Sequence, residues 1–267
     1  MLACARRNFM AISPPTNINL HFRSNDIEKN MLEISESFAD TRSQLHWASQ
    51  LLSAAADAKL EKAEDDSHSN LGWNSATNSL EGRAGVSLNV NEFAIDVDEQ
   101  SLSLAGKTLK EAAVWLGQQL GVEVEFRDYE MPEHAVGKGQ PFSPNTTDLE
   151  AISQWFTFGV ESLSGNGELR VWPHHFDLGF WNATESEGKS IGGGFTLGDH
   201  YYDQPYFYIN PYGIDKPESL PQLAHGTWTE HWFGAVLTAS ELGDDPAHTA
   251  KHFVTHAIEM SIGLLEE

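Results

Sequence analysis

The sequence predicts an α+β fold: a largely antiparallel β-sheet with helices packed on it, plus an N-terminal helix. Three observations carry this. Apolar residues alternate with polar ones in short runs over 86–104 and again across 168–240, the two-residue period of strands. Helical periodicity with capping signals occupies separate stretches beginning near 27, 108, 147 and 245. The chain has 267 residues, 40% of them hydrophobic and 10% aromatic, enough to enclose a sizeable core.

Taken in order, residues 1–23 read as a flexible leader with Pro14-Pro15, and 24–267 as a single α+β domain. A stripe from Ile27 through Phe38 and Leu45 to Ala55 alternates steps of four and three, with Asp26 able to cap its start. Thr41-Arg42-Ser43-Gln44 has the capping-box pattern, so one helix or two broken near residue 40 both fit. Lys62 to Gly82 is polar. Val86, Leu88 and Val90, then Phe93, Ile95 and Val97, then Leu102 and Leu104 give three short strands. Thr108-Leu109-Lys110-Glu111 opens a helix that Gly121 stops, and Val122, Val124 and Phe126 alternate as a strand. Residues 128–145 are a loop rich in proline and glycine. Thr147-Asp148-Leu149-Glu150 opens a helix burying Leu149, Ile152, Phe156, Gly159 and Leu163. Strands fill 168–240, and Asp244 or Asp245 caps a last helix with Pro246 in its first turn. His68-Ser69-Asn70-Leu71-Gly72-Trp73 echoes His175-Phe176-Asp177-Leu178-Gly179-Phe180, which raises the alternative of two pseudo-repeated halves.

The charge narrows the partners. Against 39 acidic residues stand 16 Lys and Arg, a net −23; Arg6, Arg7 and Arg23 precede every acid, leaving a balance of −26 beyond them. Such a surface repels phosphate backbones and anionic lipid, so neither nucleic acid nor a membrane is an expected partner. Cys4 is the sole cysteine, which removes an internal disulfide and a thiolate-rich metal site. The opening residues have no apolar secretory core, so a cytoplasmic location is expected.

The densest chemistry lies in Trp172-Pro173-His174-His175-Phe176-Asp177. Read as a strand, it puts Trp172, His174 and Phe176 on a core face and His175 beside Asp177 on the other. An imidazole next to a carboxylate suits a general base, His175 with Asp177 as orienter, and equally suits a divalent metal. Asp199 and His200, and His68 with Asp66, could complete a ligand set assembled from distant segments; no local metal motif ties them together. A histidine hydrogen-bonded inside an aromatic core is the bland alternative. On the strand 205–212, Tyr206, Tyr208, Asn210 and Tyr212 share one face, and with Trp172 and His174 they could line a pocket. Gly192-Gly193-Gly194 lacks the following Lys-Ser/Thr of a phosphate loop; close backbone approach beside large aromatics explains it better. His248, His252 and His256 fall away from the apolar side of the last helix, a solvated stripe.

The segments Trp172–Asp177, Gly194-Phe195-Thr196-Leu197-Gly198-Asp199 and Gln204-Pro205-Tyr206-Phe207-Tyr208 resemble the signature of a family known only as a domain of unknown function. Gln44-Leu45-His46-Trp47 and Asp65 through Trp73 are also similar. The likeness covers about 40–265 and implies one integral domain. It carries no activity, cofactor or catalytic assignment.

The functional expectation is a His/Asp polar-aromatic pocket for a small neutral or cationic molecule. It would be an enzyme using His175 and Asp177, by metal assistance or as a general base. The alternatives are a non-catalytic small-molecule-binding module, or an interaction domain in which the cluster is only a buried hydrogen-bond network.

Overall fold

The computed structural model describes residues 34–266. The expected leader and the expected helix start near Ile27 lie outside the described residues. Helix α1 (Phe38–Lys59) precedes five strands, β1 (Leu71–Asn74), β2 (Ser79–Gly82), β3 (Val86–Asn89), β4 (Ala94–Val97) and β5 (Gln100–Ser103), then α2 (Leu109–Leu120). Helix α3 (Thr146–Leu163) precedes β6 (Arg170–Trp172), β7 (Asp177–Ala183), β8 (Ser190–Thr196), β9 (Tyr206–Tyr212), β10 (Thr227–Trp228) and β11 (Ala235–Thr238), then α4 (Pro246–Glu266). All eleven strands form one sheet in the order β10-β11-β9-β8-β7-β6-β1-β2-β3-β4-β5, every neighbouring pair antiparallel. The α+β class and the antiparallel sheet are therefore those expected.

The order helix, run of strands, helix occurs twice, and the two runs meet at β1 and β6 through the pair Leu71 and Val171. The sequence echo is out of step with this arrangement: it aligns β1 with β7, Leu71-Gly72-Trp73 against Leu178-Gly179-Phe180, whereas position in the order matches β1 to β6.

Local signals explain most boundaries. Thr108 and Glu111 form both halves of a capping box on α2, and Gly121 ends it at φ 67°, a left-handed conformation that residues with a Cβ rarely adopt. The cap of α3 is Asn145 rather than Thr147, its side chain accepting from the N–H groups of Thr147 and Asp148. Thr41 does not start a helix; it lies inside α1, where its hydroxyl accepts from Asn145 N–H at 3.1 Å. From Ala48 to Ala56 every residue of α1 is buried, and the alanine- and serine-rich composition lets neighbouring elements close in on all sides. Two expectations fail: the polar stretch before Gly82 holds the β1–β2 hairpin, and Val122 to Phe126 join no strand. No helix among the described residues is long and apolar enough to cross a membrane.

The β6–β11 half of the sheet has two distinct faces. Leu178, Phe195, Phe207 and Leu237 lie in one row across β7, β8, β9 and β11. Phe195 stacks on Trp155 of α3 at 5.9 Å, and Phe207 meets Phe158 edge-on at 5.7 Å. The alternate row, Asp177, Thr196 and Tyr206, therefore points away from α3.

Candidate functional site

The strand expected through Trp172–Asp177 is a hairpin turn. Trp172 ends β6 and pairs with Asp177, and the Phe176 N–H closes the connection on the Trp172 carbonyl at 2.7 Å. Pro173 has no N–H to give a ladder, which favours a turn here. Phe176 adopts φ 56°, an unfavourable value for a bulky side chain, and packing holds it there: its ring is buried, stacked on His46 at 5.0 Å and edge-on to Phe156 at 5.6 Å.

The turn reassigns the two histidines. His174, expected in the core, is half-buried with its ring 5.5 Å from Tyr129; burial lowers its pKa, and His175 adds to the effect. His175 is exposed, 4.2 Å from the His174 ring, and makes no hydrogen bond to Asp177.

The partner of Asp177 is Tyr208 of β9, whose hydroxyl donates to Oδ2. To reach it, the tyrosine crosses β8 above Gly194, where a Cβ would stand 2.5 Å from the hydroxyl oxygen. At Gly192 a Cβ would lie 2.9 Å from the Tyr212 ring, so this glycine run is where large side chains cross the sheet. Oδ1 of Asp177 is buried and has no hydrogen-bond partner among the described residues. Burial raises the pKa of this carboxyl, with the Tyr208 bond and nearby His175 opposing. Burial likewise pushes the Tyr208 hydroxyl well above its ordinary value, reinforced by the adjacent carboxylate.

A second tyrosine–carboxylate pair lies beside it. Asp199, in the β8–β9 loop, accepts from the N–H groups of Tyr201 (2.7 Å) and Tyr202 (3.1 Å) through Oδ1. Its Oδ2 accepts from the Tyr206 hydroxyl at 2.6 Å, and the rings of Tyr206 and Tyr208 are 6.3 Å apart. Arg42 of α1 donates to the Leu197 carbonyl at 3.1 Å; burial lowers its pKa, while Asp199 and Asp203 hold its charge. His200 is exposed against Tyr201 at 3.8 Å. Below the turn, Nε2 of His46 donates to the Pro173 carbonyl at 2.8 Å, and Gln50 donates to the same oxygen at 2.7 Å. Burial pulls His46 down to about 4, against the pull of that carbonyl bond, so it is neutral near pH 7.

These groups border one cavity of about 1360 Å³. Of the residues expected at a site, it brings together His174, His175, Asp177, Asp199, His200, Tyr206 and Tyr208. Trp172 lies next to His174, ring to ring at 6.0 Å, but outside the lining. His68 is in another place: its Nε2 donates to Asp57 at 2.8 Å and its Nδ1 accepts from Ala63 N–H at 3.1 Å. Arg127 closes that network by bonding both oxygens of Asp57 and one of Asp66. Among the described residues no group of three or more His, Cys, Asp or Glu side chains is arranged to hold a metal ion, so the expected five-residue ligand set is not assembled. Sequence reasoning missed Arg42 and Tyr129 in the lining. His46 was signalled only by its place in the Gln44–Trp47 motif.

No protein-family model matches the chain, nor does a curated protein or a solved structure match it. The likeness to a domain of unknown function therefore rests on the quoted motifs alone.

Proposed function

We propose that the cavity is the active site of an enzyme that acts on a small neutral or cationic molecule by general acid–base chemistry. Asp177 is the proton-exchanging group, and His175, at the rim, is a second. The observation that carries this reading is a carboxyl buried at the cavity wall, held by one tyrosine hydroxyl, with its other oxygen unpartnered. A carboxyl raised by burial moves toward the pH at which both its acid and base forms are accessible. The missing His175–Asp177 bond argues against the orienting role for Asp177 and supports a second reading, a binding module without turnover. The −23 charge and the single cysteine fit a cytoplasmic protein with neutral or cationic ligands.

The test is a thermal-shift screen of neutral and cationic metabolites, each hit then followed for conversion by mass spectrometry. With hits held at saturating concentration, Asp177→Asn is expected to lose turnover by about 100-fold or more. A variant that converts hits at the wild-type rate overturns the assignment of Asp177 as the proton-exchanging group. Hits that wild type binds without converting assign the binding module.

A further inference from the structure

We propose that the ligand of this cavity is a small organic ammonium ion, seated against Tyr201 and Trp232 with Asp177 as its counter-charge. The inference rests on the acid–base reading of the same cavity and narrows its substrate class.

Charge comes first. The lining holds Glu130, Glu133, Asp177 and Asp199 against one Lys or Arg side chain, Arg42, and the imidazoles of His46, His174, His175 and His200. Arg42 is committed to the Leu197 carbonyl on the Asp199 side, and Glu133 is paired with Lys138 at 2.5 Å. Among the described residues no Lys or Arg pairs with Asp177. The groups that face it are Tyr208 and Tyr206 from β9, His175 from the turn and Asp199 from the β8–β9 loop. None of these is a permanent cation. A ligand carrying one supplies the missing charge, and an anion meets net repulsion.

Aromatic geometry is the second, independent observation. Tyr201 and Trp232 stand 5.2 Å apart with planes at 56°, a corner of two rings, and Tyr206 lies 6.4 Å from Trp232. Their polar tips are partly spoken for: the Tyr206 hydroxyl donates to Asp199, and the Trp232 indole N–H donates to Asn210 at 2.8 Å. What Tyr201 and Trp232 offer a ligand is ring face, which attracts an ammonium through its quadrupole. Tyr201 is 44% exposed, and its ring is shared with His200 at 3.8 Å and His231 at 4.9 Å.

The two observations together give a linkage. A cation within about 4–6 Å favours ionised Asp177, against the upward shift that burial gives this carboxyl, so cation binding and loss of the Asp177 proton are coupled. Affinity therefore rises with pH until Asp177 is ionised in the free protein.

The experiment titrates the full chain with choline and with its uncharged isostere, in which tert-butyl replaces trimethylammonium. Calorimetry is run in two buffers of different ionisation heat. Choline is expected to bind at least about tenfold tighter than the isostere, with proton release. Asp177→Asn should abolish the proton release and the pH dependence and weaken choline about tenfold. Trp232→Leu, the second variant should Asp177→Asn fail to fold, should weaken choline about fivefold and the isostere by less. Equal binding of choline and isostere, or no choline binding, overturns the inference. The acid–base role of Asp177 fails separately, if Asp177→Asn converts screening hits at the wild-type rate.

Discussion

The Tyr208 hydroxyl reaches across strand β8, above Gly194, to donate to Oδ2 of Asp177 on β7. This one contact fixes the orientation of a buried carboxyl whose remaining oxygen has no partner among the described residues. It ties the face of Tyr206 and Tyr208 to the turn that carries His174 and His175.

Removing the donor should move the carboxyl in a definite direction. The Tyr208 bond holds the Asp177 pKa down against burial, so Tyr208→Phe should raise it further. The change should also cost about 1–3 kcal/mol in stability, because a buried acceptor loses its partner. Carbon-detected NMR titration of the Asp177 carboxyl in both proteins gives the comparison. A lower pKa in the variant would show that another group holds the carboxylate.

Gly194 leaves room for that crossing. A methyl group there would meet the Tyr208 hydroxyl at 2.5 Å and the Leu178 backbone carbonyl as well. Gly194→Ala should therefore displace the tyrosine and destabilise the fold by about 1–3 kcal/mol. Urea unfolding measures the cost; a variant as stable as wild type would mean that the ring does not lie over β8.

The regular elements were legible because their periods are local. Tyr206, Tyr208 and Asn210 alternate with Phe207 and Ile209 as a period of two requires, and the Thr108–Glu111 capping box with Gly121 marks both ends of α2. The site was legible by residue type but not by geometry. Phe176 takes a left-handed conformation that its own chemistry disfavours, and packing on Phe156 and on His46, 130 positions earlier in sequence, holds it there. Pro173 was the one local sign of a turn. Arg42 and Tyr129 reach the cavity from segments far from the WPHHFD run, and no spacing rule connects them. The β1–β2 hairpin hid in polar text because β1 and β2 carry few apolar residues, Leu71, Trp73 and Leu80.

The network around His68 should be structural. Arg127 grips Asp57 through Nε (2.6 Å) and Nη2 (2.5 Å). Burial raises the Asp57 pKa, but the Arg127 and His68 bonds outweigh it and the net shift is downward. Such a group stabilises the fold above the unfolded carboxylate pKa, and its contribution is lost as pH falls through the lower folded value. Arg127→Ala should cost about 1–2 kcal/mol near neutrality, with the gap to wild type closing in acid. His68→Ala should leave ligand affinity at the cavity unchanged, and a loss of affinity by calorimetry would place this network in the site.

His46 should set the acid limit of the turn. Its folded pKa of about 4 lies below the ordinary 6.5, because burial disfavours the imidazolium more than the Pro173 carbonyl favours it. A depressed pKa contributes stability that is complete above 6.5 and is lost as pH falls from there through about 4. The full contribution is on the order of 3 kcal/mol. His46→Phe keeps a ring against Phe176 and removes the titration, while Gln50 still donates to the Pro173 carbonyl. The variant should lose about 1 kcal/mol at neutral pH, for one hydrogen bond, and then unfold with a shallower acid limb. Near pH 4 it should equal or exceed wild type in urea unfolding. Parallel stability profiles for the two proteins between pH 6.5 and 4 would mean that the imidazole is not neutral beneath the turn.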